Sequence, residues 1–136
     1  MVFARLRPYG GTADVSRGDI VIFKRLYRGQ SYRFIWRVVG LPGDIVSMEG
    51  TSVWLNGHKL PHDLARETND SVTFRERNGG TDYTVAYDRH SSHPALPLRV
   101  QVPSGRFFVL GDNRHDALDS TYLGTIPFEE IVAKKL

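Results

Sequence analysis

The chain has no cysteine among its 136 residues, which rules out a disulfide framework and a thiolate zinc site. Lysine is scarce too. Outside the C-terminal Lys134-Lys135 pair only Lys24 and Lys59 occur, so any lysine-based chemistry in the body of the chain rests on those two. No window reaches the roughly 18 apolar residues that a membrane-spanning helix needs. The opening MVFARLRPYGG lacks the apolar core of a secretory signal. The expectation is therefore either the soluble portion of an anchored protein or a protein without an anchor. Internal repeats, low-complexity tracts and linkers are absent, and no nucleic-acid-binding motif is recognisable.

What is present reads as a folded domain. Hydrophobic residues make up 40% and charged residues 24%, an ordinary balance. The length suits a single domain, residues 1–136, with a core that needs no metal or crosslink. The formal charge of +3 is unevenly placed: residues 1–68 hold ten Lys and Arg against six Asp and Glu, the remainder eight against nine. The simplest account of Arg5, Arg7, Arg17, Lys24, Arg25, Arg28, Arg33 and Arg37 is a solvated basic face. The functional account is an anionic membrane surface, where each nearby charge contributes about 1 kcal/mol.

The pattern is strand and turn. Asp19 to Phe23 and Tyr32 to Val39 are apolar, β-branched runs around a hairpin loop at Tyr27 to Ser31. Leu41-Pro42-Gly43-Asp44 has Pro and Gly at the two central positions of a type II turn. Ile45 to Met48 and Ser52 to Leu55 follow as strands, and Asn56-Gly57 predicts a two-residue hairpin joining Val53-Trp54-Leu55 to His58-Lys59-Leu60. Residues 61–70 read as a polar loop or helical turn. Val72 to Arg77 and Tyr83 to Tyr87 pair around Asn78-Gly79-Gly80, and Asp88 to Pro97 reads as an exposed loop. Leu98 to Val102 and Arg106 to Leu110 are expected to pair around Pro103-Ser104-Gly105. Pro127 to Glu130 suggests a helical turn. Short strands at this spacing predict antiparallel sheets in a sandwich or partly closed barrel.

Two blocks stand out: Phe34 to Asp44, FIWRVVGLPGD, and Leu110 to Ser120, LGDNRHDALDS. With Gly18-Asp19 upstream, they resemble three sequence boxes of bacterial type I signal peptidases, membrane-surface proteases with a serine nucleophile and a lysine base. Val102 to Phe108 enters the last box as the family's VPxGxYF does, and Gly124-Thr125-Ile126-Pro127 follows it. The likeness spans roughly residues 18–133 and is weakest over 1–17. It implies an all-β fold of antiparallel sheets forming a coiled, partly closed barrel, with no cofactor. It also implies a place on the extracytoplasmic (periplasmic) face of the bacterial inner membrane. The implied partner is an extended peptide, the signal-peptide region of an exported protein.

The same resemblance marks what is missing. The family's lysine precedes the Arg of RVVGLPGD, and this chain has Trp36 there. Its serine lies in an SMxPTL box eight residues before the Gly of Gly18-Asp19, and this chain reads Gly10. The base must be an amine made neutral by desolvation, whereas an indole N–H only donates. In the last box, close to GDNRxxSxDSR in the family, Gly111-Asp112-Asn113-Arg114 and Asp119-Ser120 are kept, while Ala117 replaces the inner serine and Thr121 the closing arginine. The resemblance implies that Asp112 pairs with Arg37, and that Ile35 and Trp36 border the substrate cleft, with Gly43 and Asp44 as turn residues. A dyad rebuilt from Ser16 and Lys24 is the residual catalytic possibility. His90-Ser91-Ser92-His93 with Asp88, like His58, His62 and His115, lacks a second ligand cluster or a nucleophile partner, so neither a metal nor a triad is assigned. The expected function is a catalytically silent peptide-binding or assembly factor for exported proteins. The alternative is an active serine endopeptidase whose nucleophile is misaligned or lies outside this chain.

Overall fold

The computed structural model describes residues 4–6, 8–91, 97–115 and 117–136. Its strands are β1 (Ala4–Leu6), β2 (Ile20–Tyr27), β3 (Gln30–Gly40), β4 (Ile45–Glu49), β5 (Ser52–Leu55), β6 (His58–Lys59), β7 (His62–Glu67), β8 (Ser71–Asn78), β9 (Thr81–Asp88), β10 (Leu98–Gln101), β11 (Arg106–Leu110), β12 (Ile126–Pro127) and β13 (Ile131–Lys135). One four-residue helix, α1 (Ser120–Leu123), precedes β12. The strands form three sheets, ordered β1-β13-β2-β3-β11-β12, β10-β4-β5-β6 and β7-β8-β9. The expected all-β architecture is what forms, and its antiparallel sheets stop short of a closed barrel. Among the described residues no helix is long and apolar enough to cross a membrane.

The apolar run Phe107-Phe108-Val109-Leu110 makes β11 the middle of the molecule. Alternation sends Phe107 and Val109 into one cluster with Val15, Val21, Phe23, Val38 and Ile126. Phe108 and Leu110 enter a second, with Val39, Val46, Met48, Val53 and Val102. A strand buried on both faces reads as continuously hydrophobic rather than alternating. Each such side chain contributes roughly 1.5–3 kcal/mol by leaving water.

Two turns match their residues closely. Gly43 has φ +89 and Asp44 N–H donates to Leu41 O at 2.9 Å, closing the type II turn that carries β3 into β4. Asn56 and Gly57 both have positive φ and set Trp54 opposite Lys59, as a primed two-residue turn requires. Phe128–Glu130 forms the expected helical turn after Pro127.

Three expectations are corrected. Residues 62–67 are strand β7, hydrogen-bonded along β8. Most of its side chains are exposed, so its polarity reflects an edge in water. β10 and β11 do not pair with each other: β10 pairs with β4 and β11 with β3. Val102 N–H donates to Asp44 O and Gly43 N–H to Val102 O, both at 2.8 Å, so the chain leaves one sheet beside the point where β3 crosses to β4. Finally, the β2–β3 connection is only Arg28-Gly29, with Tyr27 opposite Gln30. Arg28 takes φ +51, uncommon for a residue with a Cβ.

Candidate functional site

The β2–β3 hairpin projects beyond the rest of its sheet. β11 pairs with β3 only at Arg37, Val38 and Gly40, so among the described residues no strand covers Ser31 to Trp36 on that side. The two-residue turn and the bond from Val38 N–H to Asp19 O fix which groups lie open. In this antiparallel ladder even-numbered β3 residues bond to β2, and odd-numbered ones turn their N–H and C=O outward. Arg33 and Ile35 therefore present unpaired backbone groups along an open edge. Ile35 is itself 47% exposed. A cleft of about 150 Å³ beside it is lined by Ile20, Ile35, Trp36, Arg37 and Asp112.

Trp36 points to the other face. It lies opposite Val21, stacks on Phe34 with centroids 6.2 Å apart and packs against the cluster holding Phe23 and Val38. A Cβ placed on Gly111 would lie 2.4 Å from the Ala117 methyl and 3.0 Å from Trp36 Cζ3. The ring, Gly111 and Ala117 thus converge on one point, and no residue larger than glycine fits between them. Trp36 Nε1 is buried without a hydrogen-bond partner among the described residues.

Behind the cleft, the last box is held by its carboxylates. Asp112 receives two bonds from Arg37, Nε at 2.9 Å and Nη2 at 2.8 Å. Arg37 also donates to Gly18 O at 2.9 Å and lies over the Tyr83 ring, 4.2 Å from its centroid. Arg114 is buried and paired with Glu76 at 2.6 Å, while its Nε donates to Gly111 O at 3.1 Å. Burial alone would lower its pKa, but Glu76, Tyr87 and Tyr83 outweigh that and raise it, so the guanidinium stays charged. Asn113 is exposed and bridges Ala86 of β9. Asp119 accepts from Gly111 N–H at 2.9 Å, Thr121 N–H at 3.0 Å and Thr121 Oγ1 at 2.6 Å. Burial pushes its carboxyl up, and these bonds only partly oppose it. Ser120 Oγ accepts from Val109 N–H at 2.8 Å, fastening α1 to β11.

The remaining residues singled out in the sequence lie elsewhere. Gly10 is exposed in a turn and donates its N–H to Asp14 at 3.0 Å. Ser16 is exposed before β2, its N–H bonded to Asp19 at 3.0 Å. Lys24 lies opposite Arg33, about 16 Å of strand beyond Asp19. Asp44 binds Arg17 at 2.9 Å and Asn56 at 2.9 Å, and Gly43 is the exposed corner of its turn. Asp88 holds the His90 N–H at 2.8 Å, whereas Ser92 and His93 lie outside the described residues. His62 stacks on Phe74 at 4.3 Å, and burial with nearby Lys59 lowers its pKa. Among the described residues no cluster of three metal-ligating side chains forms. Glu76 escaped sequence reading, though one signal marked it: Val72, Phe74, Glu76 and Asn78 share a strand face, so a carboxylate falls at a core-facing position.

Open antiparallel sheets, a cleft at the free edge of β3 and the last box folded behind it define the class, a signal-peptidase-type β domain. The chain belongs to the family described as signal peptidase, peptidase S26, whose model matches residues 1–136. It is similar to signal peptidase I of Rickettsia canadensis (strain McKiel), 33% identical over 138 residues, 89% of this chain and 50% of that protein. It is 31% identical to signal peptidase I U of Bacillus subtilis (strain 168) over 119 residues, 88% of this chain and 54% of that protein. The crystal structure of a signal peptidase I from Enterococcus faecalis V583 matches it with a TM-score of 0.54 at 27% identity, over 87% of this chain and 93% of the other. The chain spans about half the length of the curated relatives it matches.

Proposed function

We propose that this bacterial domain keeps the family's frame for holding the signal-peptide region of an exported protein but does not cut it. It would act as a binding or assembly factor on the extracytoplasmic face of the inner membrane. Trp36 carries the reading. It lies well inside the matched region, at the family's lysine position, in a desolvated place where an amine would become a neutral base. The indole cannot accept a proton, and Ala117 beside it offers no hydroxyl. The open edge of β3 supports the binding half of the proposal. Adding a strand there would satisfy the Arg33 and Ile35 backbone groups, and side-chain pockets would supply selectivity.

The test is a cleavage assay in detergent on a preprotein with its signal peptide, read by intact-mass spectrometry beside a Ser16→Ala sample. No cleavage is expected at high protein and long times, while titration with extended peptides ending in small residues shifts the Arg33 and Ile35 amide resonances. Cleavage after a small residue that Ser16→Ala abolishes would overturn the proposal and reveal a relocated nucleophile. Silence of both amides would remove the peptide-binding half.

A further inference from the structure

Lys24 of β2 and Arg33 of β3 face each other directly, and both are exposed. Like charges in direct cross-strand register repel, and among the described residues neither has a carboxylate partner. The hairpin's other buried or half-buried arginines are satisfied. Arg25, on the opposite face of the same strand, reaches Glu130 at 3.5 Å and Leu123 O at 3.1 Å, and Arg37 holds Asp112. The two unsatisfied cations therefore share the one face that also carries Ile22, Ile35 and Leu26, and Leu26 is 72% exposed. β13 flanks β2 only as far as Phe23, so among the described residues no strand covers the pair on either side.

We infer that the peptide held along β3 carries a carboxylate opposite Arg33, two residues from the side chain that faces Ile35. The inference rests on the proposed peptide-binding reading and names its preferred ligand, an acidic extended segment. A strand added to the open edge places one residue directly across from Arg33, with Cβ atoms about 4.5–5.5 Å apart, and the next on that face across from Ile35. A carboxylate at the first position meets both cations and relieves their repulsion. Apolar and cationic residues together also suit an anionic lipid surface. The unpaired Arg33 and Ile35 backbone groups favour a peptide, since peptide supplies their hydrogen bonds and hydrocarbon does not.

The experiment titrates the isotope-labelled chain with extended peptides that carry one Glu at successive positions, each beside its Gln counterpart, at low and high salt. At one position Glu should bind roughly two- to five-fold tighter than Gln. The gap should close at high salt and vanish in the Lys24→Gln/Arg33→Gln double variant. Equal affinities, with Arg33 and Ile35 amides shifted by both peptides, would overturn the inference and leave peptide binding standing. No shift with any peptide would bring down both. Salt-sensitive binding to phosphatidylglycerol vesicles that the double variant loses, without a Glu-over-Gln gap, would overturn it in favour of lipid.

Discussion

One turn of four residues, Gly111 to Arg114, sends two ion pairs in opposite directions, and they differ in nearly every physical respect. Toward the cleft, Asp112 pairs with Arg37, with side chains 40% and 10% exposed. Toward the β7-β8-β9 sheet, Arg114 pairs with Glu76, and each side chain is 1% exposed. Tyr83 joins the two, since its ring lies under Arg37 and its hydroxyl donates to Glu76 at 2.8 Å. Removing a charge from water costs several kcal/mol, so the inner pair is tolerable only because Tyr83, Tyr87 and Gly111 O complete its hydrogen bonds. The outer pair is half wet: Arg37 is largely buried but keeps Gly18 O and the Tyr83 ring, while Asp112 retains part of its hydration. Losing Asp112 therefore leaves a less isolated charge than losing Glu76 would. The same short motif thus clamps a sheet on one side and borders an open cleft on the other. The proposed peptide-holding reading needs that division, a clamped frame behind an open edge.

The sharpest way to break this contrast is to neutralise one carboxylate of each pair. Glu76→Gln should cost about 3–5 kcal/mol in denaturant unfolding, because it strands a buried guanidinium. Asp112→Asn should cost about 1–2 kcal/mol, because Arg37 keeps its other partners and the asparagine oxygen, and the effect should shrink as salt rises. Similar costs would mean that exposure does not separate the two. Replacing both Glu76 and Arg114 by Met should recover most of the loss, since an apolar pair leaves no buried charge. Next in size is Trp36→Lys. Losing the packed ring should cost about 3 kcal/mol. The new amine should titrate well below the usual lysine range, because it would enter the space where the indole nitrogen is shielded from water. A lysine with ordinary titration by NMR would mean that the position is solvated and that Trp36 does not fill a buried catalytic space.

How much of this was legible in the sequence depends on the range over which each signal acts. Leu41 to Asp44 and Asn56-Gly57 encode their turns locally, through a fixed φ and a tolerated positive φ, and both formed as read. Pro103-Ser104-Gly105 is an equally clear turn, but it says only that the chain bends. Which sheet receives each side was decided by β3 and β4, some sixty residues earlier in the chain. β7 escaped because an edge strand in water needs no apolar alternation. The Lys24–Arg33 pairing was hidden in a single residue: Arg28 adopts a left-handed conformation that its type does not announce. With a loop running from Tyr27 to Ser31 no register could be assigned, whereas the two-residue turn fixes every rung. The boxes around Trp36 and Asp112 were legible as blocks, but only the fold showed Trp36, Gly111 and Ala117 meeting at one point.

The smallest expected effect concerns the third carboxylate of the same box, Asp119, which among the described residues has no direct arginine partner. Thr121 gives it two hydrogen bonds, one from its N–H and one from its hydroxyl. Thr121→Val keeps the first and removes the second, so the cost should be about 0.5–1.5 kcal/mol at neutral pH. The sign of its pH dependence follows from burial. Asp119 has a folded pKa above its unfolded value, so its contribution is fully present below the unfolded pKa and is lost as pH rises through the folded one. The Thr121 hydroxyl favours the charged form and so opposes that shift. Without it the folded pKa rises further, and the variant loses more on the alkaline side than wild type does. Thermal unfolding of the two proteins should therefore diverge at neutral pH and converge below the acid range of free aspartate, where Asp119 is protonated in both folded and unfolded chains. A constant gap across that range would show that the hydroxyl stabilises α1 by packing alone, and that the third carboxylate, unlike the other two, is indifferent to its charge.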